Sequence, residues 1–513
     1  MTRTAGLSDI ADPAISDFLS RAEQRRSEVM GGLDETSQAA HGQFFTPVPA
    51  ARLIVSMFAL TARDRIRILD PGAGTGSLTA ALVARLATEQ ITRTIEIVAV
   101  EKDGGVVPAL ADALDDCIAL GRARDIKITT ELVQDDLLDM HVGLRRTTAP
   151  LEQFDLIPMN PPYYKLPAGS RARLAPDGLD TPNIYSTFLL IAADLLTEGG
   201  QLSAITPRSF ANGTYFKAFR RSFLTAVTLE RIHLFDSRKS VFADGGVLQE
   251  NVIFSATKAA PRGNVLLTVS HGTDDEATSR TVPYAEVVKP TDPDSFVRLP
   301  TSARHSALAD VFDLLPCDLT ALGVKASTGP VVDFRLREHI RPRPVHHSVP
   351  LLYPSNISGG LVHWPVEKTK DQAIVVNDET RKWLVPDERF VLVKRFSSKE
   401  ERRRVVAAVH EPGETPHAWL GLDNKLNFIH TAKKGLPRDL AYGLALWLNS
   451  SLLDEHFRTF SGHTQVNVGD LKAMRYPLSE HLITLGAALD SDAMPAQEII
   501  DTMVAEHIPG IAR

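Results

Sequence analysis

One stretch constrains the fold more than any other. A β-branched run at 66–69 leads into the turn Asp70-Pro71-Gly72-Ala73-Gly74-Thr75-Gly76-Ser77, and a helical pattern follows at 77–87. A strand that passes through a glycine-rich turn straight into a helix opens a βαβ unit, which commits the chain to a parallel sheet covered by helices. The alternation continues through strand patterns at 95–100, 125–133 and 154–157. A long apolar helix is expected at 184–196, closed by Gly199 and Gly200 ahead of a strand at 201–205. Segments 228–235 and 251–255 are expected to pair as an antiparallel edge. Upstream, Leu53, Ile54, Met57, Phe58 and Leu60 mark a helix, with Pro47 suited to its first turn, where the missing N–H costs nothing. The first 40 residues read as a polar, partly helical arm. The expected fold class is α/β, with a Rossmann-like, mostly parallel mixed sheet.

At about 150 residues per domain, a chain of 513 residues holds roughly two to four domains. Beyond about 310 the helical periodicity weakens, and Pro342, Pro344, Pro350, Pro354 and Pro365 punctuate short strands, so a second, mixed α/β domain is expected at 320–480. The boundaries predicted are an arm or helix at 1–40, a first domain at 41–310, the second at 320–480 and a helical tail at 481–513. A net charge of −7 excludes a wholly basic nucleic-acid coat. The average conceals a division, however: residues 1–320 carry a net −8, residues 321–480 a net +5 and the tail −4.

Cys117 and Cys317 lie far apart with no Cys-x-x-Cys pair, which argues against a disulfide scaffold or a cysteine zinc site and favours a cytoplasmic compartment. The histidines have no compact ligand spacing, and the adjacent His346 and His347 cannot form a helical pair, so no metal is expected. The N-terminal 17 residues lack the character of a secretory signal, and no apolar run reaches the ~18 residues of a membrane span. No membrane association is expected.

Glycines at the 70–76 turn let the backbone approach a ligand lying across the carboxyl ends of the strands. Gly72, Gly74 and Gly76 alternate, and Ser77 stands where the third glycine of a dinucleotide fingerprint would be. Asp70 would repel a pyrophosphate but suits an amino-acid ammonium; the competing reading is a glycine turn with no ligand. Glu101 ends the next strand at the same edge and suits a ribose diol, or is a solvated strand-end charge. Asp136, with Asp135 as its neighbouring candidate, is placed to accept from an adenine amine or to cap a helix. The strongest signal is Asn160-Pro161-Pro162-Tyr163 after an apolar strand. A nucleobase amine is a poor nucleophile because its lone pair is delocalised into the ring. The Asn160 side-chain oxygen and the Pro161 carbonyl can accept its two hydrogens and favour a pyramidal nitrogen, while Tyr163 offers a ring for an extruded base.

Residues 70–76 resemble the cofactor loop of S-adenosylmethionine-dependent methyltransferases, and Asn160 to Tyr163 the signature of amino-methyltransferases. His41-Gly42-Gln43-Phe44-Phe45-Thr46-Pro47 is similar to the N-terminal motif of the gamma-class N6-adenine DNA methyltransferases of Type II restriction-modification systems, of the XhoI and PstI kind. The order of the motifs is that of the class, and the likeness spans roughly 40–480. It implies S-adenosylmethionine as cofactor, with Phe45 and Thr46 at its methionine end, Asp70, Gly72, Gly74 and Gly76 along its methionine and ribose, Glu101 on the ribose hydroxyls and Asp136 on the adenine. It implies catalysis by Asn160, Pro161, Pro162 and Tyr163 on a flipped adenine. The class uses a second stacking aromatic, for which Phe296 is the candidate, with core packing as the competing reading. The chain departs from the pattern in placing Pro158 and Met159 before the tetrad, where a small residue is common.

In the second domain Lys394, Arg395, Lys399 and Arg402 are expected to contact DNA, within the basic segments 394–399 and 402–404. A helix is expected at 444–457. The implied partners are double-stranded DNA and a separately encoded restriction endonuclease, with the chain a monomer or dimer. The rival enzymatic reading is methylation of RNA or of a protein glutamine. From another class, the chain would be an inactive DNA-specificity or defence subunit.

Overall fold

The protein is described from a computed structural model. It describes residues 12–32, 45–146, 153–167, 169, 178–235, 250–366, 371–397, 402–413, 417–461, 465–490 and 493–511. The chain divides into two compact units, Met1–Thr301 and Ser302–Arg513.

The first unit is built on a nine-stranded sheet. Its strands are β1 (Arg65–Pro71), β2 (Thr94–Val100), β3 (Lys127–Val133), β4 (Phe154–Met159), β5 (Leu196–Pro207), β6 (Val227–Phe235), β7 (Asn251–Lys258), β8 (Asn264–Ser270) and β9 (Thr278–Pro283), in the order β3-β2-β1-β4-β5-β7-β6-β8-β9. Strands β1 to β5 are parallel, and β7 runs antiparallel between β5 and β6. The chain winds outward from β1 to β3, then returns to place β4 on the other side of β1. The carboxyl ends of β1 and β4 therefore flank the topological switch point, where open α/β sheets form their ligand crevice.

Helices α1 (Pro13–Gly31), α2 (Val48–Ser56), α3 (Ser77–Glu89), α4 (Val107–Ala123), α5 (Leu137–Arg146), α6 (Ile184–Leu195) and α7 (Lys217–Ala226) belong to this unit. Two apolar cores cover the sheet. Ile66 and Ile68 of β1 join Leu156 and the faces of α1 to α4 in one, whereas Leu69, Ile157 and Met159 join α6 and α7 in the other. This alternation of successive side chains is what buries a parallel strand on both faces. The N-terminal helix is part of the first core, with Ile15, Phe18, Leu19 and Ala22 buried. Arg21 and Arg25 of α1 both pair with Asp116 of α4.

Several elements differ from the sequence expectation. Gly199 and Gly200 do not close α6; the helix ends at Leu195, and both glycines lie inside β5. There the register with β4 jumps from Phe154↔Leu196 to Leu156↔Gln201, so the turn residues serve a bulge within the strand. Strands β6 and β7 do pair antiparallel, but β8 and β9 extend the sheet beyond them, so they are not its edge. Pro47 is the residue before α2, and Pro49 takes the first turn. Pro158 lies within β4, and the β1 to β4 pairing is Ile68↔Leu156. Two residues further on, proline has no N–H with which to extend the ladder.

The second unit holds a six-stranded and a five-stranded sheet of short strands. In the larger, Phe390–Lys394 lies between Leu426–His430 and Ala407–His410. The single helix expected at 444–457 is two, Arg438–Leu448 and Ser451–Phe460. Ser450 breaks them by accepting from the Leu453 N–H as the N-cap of the second, and the Asn449 side chain is spent on both backbone groups of Ala407. The C-terminal segment packs into the same unit: Asp501 of the helix Gln497–His507 accepts from the backbone and the hydroxyl of Ser451. Among the described residues no helix is long and apolar enough to cross a membrane.

Candidate active site

A cleft with about 780 Å³ of open space lies at the switch point of the first unit. Gly72, Gly74, Val100, Glu101, Lys102, Asp135, Asp136, Asn160, Pro161 and Pro162 are among its lining residues. Thus the ends of β1, β2, β3 and β4, at Pro71, Val100, Val133 and Met159, meet in one concavity.

The turn after β1 is formed by backbone. The N–H groups of Gly72 and Ala73 both donate to the Val100 carbonyl of β2, at 2.8 and 2.9 Å. Gly74 has φ +54°, and a Cβ there would come within 2.9 Å of the Phe45 ring. Gly76 has φ +80°, and a Cβ there would meet Ala113 of α4 at 2.8 Å. Both positions thus require glycine twice over, by dihedral and by space.

Three acids end the strands in different states. Asp70 is fully buried; its Oδ2 accepts from the Thr79 hydroxyl at 2.6 Å, whereas its Oδ1 has no hydrogen-bond partner among the described residues. Burial pushes its pKa up to about 7, against the opposing Thr79 hydrogen bond and with help from the Glu101 charge. Glu101 accepts from the Gly74 N–H and from the Asp103 N–H, each at 2.9 Å, so it ties the glycine turn to β2 while facing the cleft. Asp136 caps α5 by accepting from Leu138 N–H at 2.9 Å, and its other oxygen lies 3.7 Å from the Lys102 ammonium. Asp135 also lines the cleft, and accepts from the Asp136 N–H.

At the end of β4, Asn160 is held on both sides. Its Nδ2 donates to the Thr46 hydroxyl at 3.0 Å, and the Tyr163 hydroxyl donates to its Oδ1 at 2.9 Å. The same Tyr163 hydroxyl lies 3.0 Å from the Ile205 carbonyl. One phenolic hydrogen faces two acceptors, so Tyr163 can release the Asn160 oxygen to another donor and keep Ile205. Burial, with a smaller push from Tyr185, holds the Tyr163 pKa well above the usual tyrosine range, so the hydroxyl stays a donor. Its ring stands perpendicular to that of Tyr185, centroids 6.3 Å apart. Pro158 and Met159 are accommodated: Met159 is fully buried in the core that α6 covers.

The structure brings Phe45, Gly72, Gly74, Glu101, Asp136, Asn160, Pro161 and Pro162 into one lining, with Thr46 and Tyr163 bonded to Asn160 behind it. Asp70 and Gly76 support the turn from below. Phe296 is not brought to the cleft. It is buried, with the Arg220 guanidinium 4.9 Å over its ring, because Arg220 holds that turn through the Asp294 carbonyl. Residues 41–44 lie outside the described residues. The sequence reasoning missed Lys102, Tyr164, Ile184 and Phe188, which also line the cleft. Tyr164 and Lys102 directly follow motif residues, a signal that was available; Ile184 and Phe188 look like ordinary apolar residues of α6.

In the second unit the basic candidates fare differently. Arg402 is exposed, but Arg404 is 2% exposed and packed by Ser397, Ser461 and the Phe457 ring. Arg395 donates to the Asn424 carbonyl and to Gln465, and Lys394, half-buried, ends its strand. Lys399 lies outside the described residues. Among the described residues no group of three or more His, Cys, Asp and Glu is arranged to hold a metal.

Comparison with known proteins gives consistent relatives. Residues 116–242 match the model of the Eco57I restriction-modification methylase family. The Type II methyltransferase M.PstI of Providencia stuartii is 38% identical over 463 residues, which cover 89% of this chain and 91% of that one. M.BsuBI of Bacillus subtilis is 38% identical over 458 residues, covering 87% and 89%. Among solved structures, the Type IIL restriction-modification enzyme MmeI in complex with DNA aligns over 96% of this chain and 73% of its own, with a TM-score of 0.53 and 10% identity, a likeness of fold.

Proposed function

This chain belongs to the Type II DNA methyltransferases of restriction-modification systems, and from that premise we propose that it methylates the N6 amine of a flipped adenine at one site in double-stranded DNA, using S-adenosylmethionine. The observation that carries the assignment to an exocyclic base amine is the state of Asn160, and the choice of adenine rests on the resemblance of the Asn160 to Tyr163 tetrad and its motif order. Its amide nitrogen is anchored to Thr46, and its oxygen is held by a hydroxyl that has a second acceptor waiting. An incoming amine hydrogen can take that oxygen at little cost, because no buried polar group is left unpaired.

The residues present fit the cofactor. The buried, unpartnered Oδ1 of Asp70 is an acceptor in want of a cation such as an ammonium, the glycine turn offers close backbone approach, and Glu101 and Asp136 face the cleft as acceptors for hydroxyls and an amine. When bound, the cofactor supplies an electrophilic methyl on a sulfonium, already an excellent leaving group. What remains for the chain is positioning. Asn160 Oδ1 and the Pro161 carbonyl accept the two amine hydrogens and turn the nitrogen lone pair toward the methyl. Pro161 and Pro162 fix the backbone that carries both acceptors, and Tyr163 provides a platform for the extruded base. The surplus proton on the methylated nitrogen passes to solvent after transfer, so Asn160 acts as acceptor and not as base.

Residues 41–310 would carry the transfer and residues 320–480 the recognition of DNA, with Lys394, Arg395, Lys399 and Arg402 at phosphates or base edges. The setting is cytoplasmic, and a partner endonuclease is a separate polypeptide. Expression in a methylation-free bacterium, followed by mapping of modified bases by direct sequencing, tests the assignment. The expected result is N6-methyladenine at one position of one short sequence. Unmodified DNA together with methylglutamine on a protein, or methylated RNA, would refute it.

A further inference from the structure

Between β5 and α7 the chain makes two 3-10 turns, Arg208–Ala211 and Thr214–Phe216. They lie just past the carboxyl end of β5, the strand whose Ile205 carbonyl faces the Tyr163 hydroxyl. The second turn is braced from every side. Gly213 N–H donates to the Ser209 carbonyl at 2.9 Å and Phe216 N–H to the Gly213 carbonyl at 3.0 Å. From below, Arg220, 1% exposed, donates to the carbonyls of Phe210 and Gly213. Phe216 is buried and stacks on Tyr185, centroids 5.5 Å apart, and Tyr185 in turn stands against Tyr163.

On this braced turn Tyr215 is 83% exposed, the highest value among the large hydrophobic side chains described. One ring of the pair Tyr215-Phe216 thus ends a buried aromatic series that begins at the catalytic tetrad, and the other projects into solvent. An aromatic mounted on a hydrogen-bonded turn and left this exposed is a stacking surface whose ligand comes from outside. Exposed Arg221 on the following helix adds positive charge, which suits a polyanion, while the neighbouring Lys217 is half-buried and paired with Asp294 at 2.6 Å.

We propose that Tyr215 stacks on the DNA beside the target adenine and helps to hold the base out of the helix. The inference rests on the adenine assignment made above. Extruding a base breaks its pairing and its stacking, and a protein ring against the bases left behind offsets part of that loss.

The test uses the full chain and a duplex carrying the mapped site, with 2-aminopurine in place of the target adenine for fluorescence and adenine for single-turnover methylation. Tyr215→Ala is expected to reduce the fluorescence gain and to slow methyl transfer on the order of 10-fold, the loss of one stacking contact. Tyr215→Phe is expected to behave as the unaltered protein. A mismatch at the target, which lowers the work of extrusion, is expected to restore much of the Ala variant's rate, and S-adenosylmethionine affinity by calorimetry is expected to be unchanged throughout. Equal rates for Tyr215→Ala and the unaltered protein would overturn the proposal. So would a Phe variant as slow as the Ala variant, which would mean a hydroxyl contact to phosphate. If the unaltered protein methylates no adenine, the functional assignment itself fails and this inference with it.

Discussion

The two units use charge in opposite ways. In the first, acids sit at the ends of β1, β2 and β3, each within two residues of a strand terminus or a helix start, and their positions follow from local sequence. In the second, the basic residues take partners from remote segments: Arg395 from Asn424 and Gln465, Lys425 from Asp333, Arg404 from Ser397 and Ser461. A run of three arginines at 402–404 consequently splits into an exposed Arg402, a half-buried Arg403 and a buried Arg404. A strand end fixes where a side chain points, whereas a charge cluster in irregular structure does not.

Substitutions can break that contrast at either end. The largest effect is expected at Asn160→Ala: single-turnover methyl transfer falls by about 10²–10³-fold, the scale of removing one positioned hydrogen-bonding group, while cofactor affinity by calorimetry stays within a few-fold. Full transfer by this variant would remove Asn160 from the mechanism. Next, Arg404→Met is expected to lower stability by roughly 2–4 kcal/mol in urea unfolding, because a buried guanidinium network is lost. A variant that kept its stability and lost only DNA affinity would return Arg404 to the surface.

A smaller loss, on the order of 10-fold in turnover, is expected for Thr46→Val. Thr46→Ser restores the rate, since the hydroxyl that anchors the Asn160 amide is what matters. A rise in KM for S-adenosylmethionine with turnover unchanged would instead place Thr46 on the cofactor.

The buried Asp70 gives a pH effect. Its folded pKa, about 7, lies above the ordinary carboxyl value, so the folded state holds a proton that the unfolded chain has released. Stability from this group is therefore present in acid and lost as pH rises from about 4 through 7. Asp70→Asn is expected to flatten that part of the stability profile, and an unchanged profile in urea titrations would contradict the burial argument. The smallest effect is at Arg402→Gln, where DNA affinity drops a few-fold and the salt dependence of binding weakens by about one counterion.

How much of this was legible in the sequence follows the same division. The βαβ opening, the strand-end acids and the Asn-Pro-Pro-Tyr tetrad were readable because a strand, a turn and a helix start are fixed by a few adjacent residues. The bulge in β5 was not, because Gly199 and Gly200 look the same after a helix as within a strand. Nor was the burial of Phe296, since an aromatic in a loop is indistinguishable from a core residue until Arg220 is seen over its ring. Ser450 divides two helices by a cap that competes with a continuous apolar pattern. The Thr46 to Asn160 bond spans 114 residues, and no local pattern announces it.

Pro158 has a mechanical consequence. Strands β1 and β4 lead into the glycine turn and the Asn160 tetrad, the two loops to which the proposal assigns methyl donor and methyl acceptor, and they share the rung Ile68↔Leu156. Beyond that rung residue 158 has no backbone donor, and the tetrad is tied instead to the segment ahead of α2 by the Thr46 to Asn160 bond. The sheet sets the fold, while one hydroxyl and one amide set where the Asn160 side chain stands at the strand's end. The placement of that amide is thereby adjustable through a side chain 114 positions away, with the strands beneath left as they are.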